Sequence, residues 1–187
     1  MELKSHCRER FEPAVDAIRQ LLEEKKGSDE PLLAAIDGRC GSGKTTLGEY
    51  LKQIFDCNLF RMDDFFLRME QRTPERLREV GGNVDYERFE ETVLRPLLQK
   101  EQVCYQPFSC QKWGLLKAYP IPYKRLNIIE GSYSMHPYFK NPYHVRIFMN
   151  ISPEDQIANI KKRNGLEKAY PDLMEDNGFV VGLFNIK

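Results

Sequence analysis

Ten consecutive residues hold the densest concentration of chemistry in this chain: Asp37-Gly38-Arg39-Cys40-Gly41-Ser42-Gly43-Lys44-Thr45-Thr46. From Gly38 to Thr45 they fit the pattern G-x-x-x-x-G-K-[ST]. Such a loop suits a nucleoside triphosphate. Glycine lacks a Cβ, so the backbone can curl around anionic oxygens and aim its N–H groups at them. A helix starting just after the loop adds its positive end at the same point. The residues assigned to the nucleotide are therefore Gly38, Cys40, Gly41, Ser42, Gly43, Lys44, Thr45 and Thr46. Lys44 supplies a mobile cation for the outer phosphates, and the Thr45 hydroxyl supplies a ligand for Mg²⁺.

Two acids end apolar runs elsewhere in the chain. Leu59-Phe60-Arg61-Met62 runs into Asp63-Asp64-Phe65-Phe66, and Leu126-Asn127-Ile128-Ile129 runs into Glu130-Gly131. In open α/β folds ligands sit beyond the carboxyl ends of the strands. Both carboxylates are therefore expected beside the glycine loop. Aspartate also favours caps and turns, which is the plainer account of Asp63-Asp64.

The elements that must position these groups follow from pattern. Leu32 to Ile36 reads as a buried strand, and Thr45 to Phe55 as a helix with Leu47, Tyr50, Leu51 and Ile54 at helical spacing. Residues 8–26 predict an amphipathic helix with Pro13 in its first turn, packed outside the sheet and without chemistry of its own. Thr73-Pro74 signals a helix start, and Gly81-Gly82 a turn. A further helix carries Phe89, Val93, Leu94, Leu97 and Leu98. Val103 to Tyr105 reads as a short strand or hairpin arm, and residues 106–123 as a surface hairpin or a substrate-facing insert. Val145 to Met149 is another strand, and Ser152 caps a helix running to about Asn164 and ending at Gly165. Strands alternating with helices imply a parallel sheet with right-handed crossovers.

Length and composition set the remaining bounds. The 187 residues, 41% of them hydrophobic, suit one domain spanning 1–187. Lys+Arg and Asp+Glu balance at 28 each, which argues against a basic nucleic-acid surface. No run reaches the apolar length of a membrane span, and the N-terminus lacks the apolar core of a signal peptide, so the expected place is the cytoplasm. The five cysteines include no C-x-x-C pair and read as reduced thiols.

In order and spacing, five segments resemble the uridine kinase-like branch of P-loop kinases, which includes phosphoribulokinase and bacterial pantothenate kinase relatives. They are Asp37 to Thr46, Met62 to Phe66, Gly81 to Phe89, Ile128 to Tyr133 and Ile151 to Gly165. The resemblance implies a three-layer α/β/α P-loop kinase with a parallel sheet and a lid helix at about 152–165. The N-terminal helix (1–28) lies ahead of that likeness, and an atypical tail (166–187) follows it. It implies ATP with Mg²⁺ as phosphoryl donor and a small-molecule hydroxyl acceptor. The catalytic set it implies is Lys44, Asp63 as base, Glu130 as the Walker B acid and Arg163 from the lid. Thr45, Asp63 and Glu130 would hold the metal, and Asp63, Phe66, Asn83 and Asp85 the acceptor; beside that likeness, Arg68 or Arg72 would meet an acceptor that is anionic. The chain departs from the pattern at three places. Ser109 stands where the nucleoside kinases carry Asp, Asn159 stands where many relatives carry a lid arginine, and the residues after Gly165 do not follow the family. A GTPase would need Asn-Lys-x-Asp, which is absent. The rival reading is a nucleotide-binding regulatory protein with lost or weak catalysis.

Overall fold

The computed structural model describes residues 5–164, with side chains from 9 to 162. The chain opens with α1 (Ser5–Glu24). Phe11, Val15, Ile18 and Leu21 are buried on one face. Pro13 lies inside this helix rather than in its first turn. It is exposed, so the carbonyl that loses its N–H partner faces water and the helix continues.

The central sheet consists of β1 (Leu32–Gly38), β2 (Cys57–Arg61), β7 (Leu126–Glu130) and β8 (Val145–Met149), in the spatial order β2-β7-β1-β8. All three pairings are parallel. Between β1 and β2 runs α2 (Lys44–Ile54). After β2 come α3 (Pro74–Arg78), α4 (Tyr86–Phe89) and α5 (Arg95–Leu98), then β3 (Val103–Tyr105), β4 (Phe108–Ser109), β5 (Gly114–Leu115) and β6 (Tyr119–Ile121). Last among the described elements is α6 (Pro153–Asn164). A π turn, Glu90–Leu94, joins α4 to α5, and the Arg95 N–H donates to the Glu90 carbonyl five residues back. Pro96 follows at once. It cannot donate and would crowd the carbonyl four residues earlier, and a widened turn relieves both problems.

Side chains of β1 alternate between two cores, as a strand period of two requires. Leu32, Ala34 and Ile36 pack with α1, α2, Leu126, Ile128 and Met149. Leu33 and Ala35 pack on the other face with Phe60, Phe65, Phe89, Val93, Leu97, Tyr105 and Ile129. Helices thus cover both faces of one sheet, giving three layers. Between β2 and β7 the Asn58 amide donates to Asn127 Oδ1 at 3.1 Å, with Asn58 opposite Asn127 in the register. The Asn127 amide donates in turn to the Lys124 carbonyl at 2.7 Å. Both side chains are buried, and each has a partner.

Candidate functional site

At the carboxyl end of β1 the chain must turn sharply into α2. Gly38 has φ +140°, and a Cβ there would lie 2.1 Å from the Met149 carbonyl oxygen. Gly43 caps α2 in the left-handed region at φ 96°. The first-turn amides of α2 have no intrahelical acceptors. The Ser42 hydroxyl is buried with no hydrogen-bond partner among the described residues. A buried orphan hydroxyl beside unsatisfied amides is what a phosphate-binding loop presents, so the residues fit the ligand their pattern implies.

Lys44 is buried and donates to the Gly38 and Arg39 carbonyls at 2.8 and 2.9 Å. Burial holds its pKa below the usual lysine range, partly offset by the charges of Cys40, Asp63, Glu130 and Asp37. The Thr45 hydroxyl donates to Glu130 Oε2 at 3.3 Å. Glu130 is almost wholly buried at the end of β7. Its pKa is pushed up to about 7, first by burial and then by Asp63. Arg61 reaches Glu130 at 3.5 Å and pairs also with Glu49.

Two adjacent aspartates divide in role. A 3₁₀ turn, Met62–Asp64, follows β2. Asp64 is pinned: Tyr105 donates its hydroxyl to Oδ2 at 2.7 Å, and Arg88 donates to its carbonyl at 3.2 Å. Asp63 is exposed and has no hydrogen-bond partner among the described residues. Its charge is felt by Lys44 and by Glu130. The fold thus brings Lys44, Thr45, Asp63 and Glu130 together from three strand ends.

The other predicted residues are placed as follows. Phe66 and Asn83 are half-buried, and their two segments meet at the isolated Phe66–Val84 bridge. Arg68 lies on the same segment as Asp63, its Nε–H donating to Gln71 Oε1 at 3.0 Å. Asp85 is 1% exposed and turned into the protein. It accepts from the Arg88 backbone N–H, capping α4, and pairs with the Arg88 side chain at 3.2 Å. Its carboxylate is therefore engaged by the protein rather than open to a guest. Arg163 falls on α6, with its side chain outside the described residues, and the segment 166–187 lies outside them altogether.

Several contacts escaped sequence reasoning. Asp37 ties the loop to the turn after β7, accepting N–H groups from Gly38 (2.6 Å), Tyr133 (3.1 Å) and Met135 (2.9 Å). Arg10 of α1, a helix expected to carry no chemistry, donates to the Ser42 carbonyl at 3.1 Å. From α6, Asn159 donates to the Gly41 carbonyl at 2.9 Å. Only the acid at Asp37 had a local signal, its place just ahead of the glycine pattern. Beside the loop a hollow of about 540 Å³ is lined by Arg39, Asn150, Ile151, Ser152 and Pro153. Among the described residues no group of three or more His, Cys, Asp or Glu gathers as a metal cluster, and no helix is long and apolar enough to cross a membrane.

Neither a sequence profile of a known family nor a curated protein matches the chain by sequence. Solved structures do match by fold. A candidate fructose transport system kinase from Silicibacter sp. TM1040 aligns with a TM-score of 0.68 at 22% identity, over 85% of this chain and 82% of that one. A candidate uridine kinase from Bacillus stearothermophilus aligns with a TM-score of 0.59 at 20% identity, over 88% and 97%. D-glycerate 3-kinase from Cryptococcus neoformans aligns with a TM-score of 0.50 at 17% identity, over 95% and 66%. With its parallel four-stranded sheet and its glycine loop between β1 and α2, the chain has the fold of the uridine kinase-like P-loop kinases.

Proposed function

We propose that this protein is an ATP-dependent phosphotransferase acting on a hydroxyl of a small molecule. One observation carries the reading: an unpartnered carboxylate, Asp63, shares electrostatic reach with Lys44 and with the Thr45–Glu130 pair. Phosphoryl transfer asks a protein mainly for positioning and charge neutralisation. MgATP, as substrate, supplies the γ-phosphoryl group, whose bond to the bridging oxygen breaks as the acceptor oxygen forms its own.

The amides of residues 41–46 and Lys44 would hold the phosphates. Thr45 and Glu130 would hold Mg²⁺, and Asp63 would share it directly or through water. Two carboxylates are enough, because this ion keeps several waters and takes phosphate oxygens as ligands. Asp63 would take the acceptor's proton, and Phe66 and Asn83 would line the acceptor side. Asp85 would shape that wall through Arg88. Arg163 is assigned to charge developing on the transferred group. The hollow lined by Arg39 and residues 150–153 gives the nucleoside end room.

The test is ATP consumption that requires an added hydroxyl compound. Lys44→Ala and Asp63→Asn should each abolish it. Near-normal turnover in Asp63→Asn would remove the base from this scheme. The second reading is a nucleotide-binding regulator with lost or weak catalysis. It draws support from contacts on the carbonyl side of the loop, where Lys44 rests on two loop carbonyls and Asn159 covers a third. A regulator binds MgATP and shows no turnover whichever acceptor is supplied.

A further inference from the structure

The arginines around the acceptor side divide into two sets. Arg61 pairs with Glu49 and Glu130, Arg76 with Glu79 and Glu87, and Arg88 with Asp85. Arg72 pairs with no carboxylate among the described residues. Its Nε–H donates to the Leu67 carbonyl at 3.0 Å, which fixes the stem and leaves the outer nitrogens of the guanidinium free to donate. The Trp113 ring lies 5.0 Å from its guanidinium carbon. Trp113 itself holds φ +51° at the turn between β4 and β5 and is 43% exposed. Among the described residues the one carboxylate that Arg68 meets is Glu70, at 3.5 Å and with both side chains exposed, which is worth little in water. Arg68 also crowds Arg88, whose pKa burial lowers and Arg68 lowers further.

These two weakly engaged guanidinium groups sit on the segment that carries the proposed base. Cys110, on the same hairpin turn as Trp113, feels both Arg72 and Asp63. Arg68 and Arg72 follow Asp63 on one continuous segment closed by the 3₁₀ turn Met69–Gln71. A guanidinium stacked on indole presents a planar donor pair to a carboxylate or phosphate, a geometry that a neutral sugar hydroxyl does not use.

We propose, building on the phosphotransferase reading, that the acceptor carries an anionic oxyacid group, received by Arg72 over Trp113 with Arg68 beside it while the hydroxyl meets Asp63. Phosphate monoesters and carboxylates share this chemistry. The hairpin β4–β5 then acts as the specificity-determining wall.

The experiment compares matched pairs as acceptors with MgATP: glycerate against glycerol, and fructose 6-phosphate against fructose. The first pair reports a carboxylate and the second a phosphate. Product is read by mass. The expected result is turnover of at least one charged member over its neutral partner. Arg72→Met should raise KM for that acceptor by about ten- to hundredfold, with kcat changed little. Arg72→Lys should restore part of the loss. The MgATP-induced melting shift should be the same in Arg72→Met as in the unaltered chain, which shows that the variant folds. Preference for the neutral members, or an unmoved KM in Arg72→Met, overturns the anionic acceptor and leaves the kinase reading standing. Product from no acceptor, with the melting shift intact, overturns both. Loss of the melting shift in the unaltered chain removes the nucleotide site itself.

Discussion

Burial leaves Glu130 poised between two protonation states near neutrality. Its pKa is about 7 in the fold against an ordinary value of 4.5. Between those values the folded chain binds more protons than the unfolded one, so stability without ligand falls as pH rises from about 5 to about 8. Glu130→Gln removes that slope. In a calorimetric pH series its melting temperature should exceed that of the unaltered chain at pH 8, and the gap should close toward pH 5. A lower melting temperature at pH 8 would show that the carboxylate is not held at a cost. Function should run the other way. Mg²⁺ needs the ionised group, so metal-dependent nucleotide affinity should strengthen as pH rises through 7. Asp63 and Lys44 separate at this scale too. Asp63→Asn should stop transfer and keep the MgATP melting shift, whereas Lys44→Ala should shrink both.

At the scale of the element, Asp37 joins two strand ends through three backbone N–H groups. Asp37→Ala leaves those donors without their acceptor and should cost about 2–4 kcal/mol of stability, measured by urea unfolding. Asp37→Asn keeps an acceptor oxygen and should recover part of it. A loss below about 0.5 kcal/mol in the alanine variant would mean that water replaces the carboxylate. The glycine loop was legible in the sequence because its chemistry is local, ten residues in one run beside one apolar strand. The ends of β2 and β7 were legible for the same reason. The likeness singled out Asp63, but the physical reason that the protein holds Asp64 and not Asp63 was not legible. It depends on Tyr105 and Arg88, which lie 41 and 24 residues from Asp64 and whose approach no periodicity encodes. Asp85 misled in the same way, since its capping of α4 and its pairing with Arg88 are three-dimensional facts. Pro13 showed the converse. A strong local rule placed it at a helix start, yet an exposed helix face tolerates it within.

For the whole molecule, ligand linkage gives the broadest test. MgATP at a hundredfold above its dissociation constant should add about 2.7 kcal/mol. That corresponds to roughly 5–10 °C in melting temperature for a chain of this size. No shift at millimolar MgATP would count against a nucleotide site of useful affinity. The loop is contacted from α1 by Arg10 and from α6 by Asn159. Nucleotide should therefore slow hydrogen exchange in both helices as well as in α2, which mass spectrometry resolves peptide by peptide.

The paired amides of Asn58 and Asn127 lie low in the sheet, well away from any reacting atom, yet they set the height of everything at its top. Sliding β7 by a single residue against β2 would break the buried bond between the two amides and turn Glu130 toward the wrong side. It would also move that acid by about 3.3 Å, farther than the bond it accepts from Thr45 can stretch. The two asparagines thus work as a vernier, aligning the glycine-loop end of the molecule from the opposite end of the sheet.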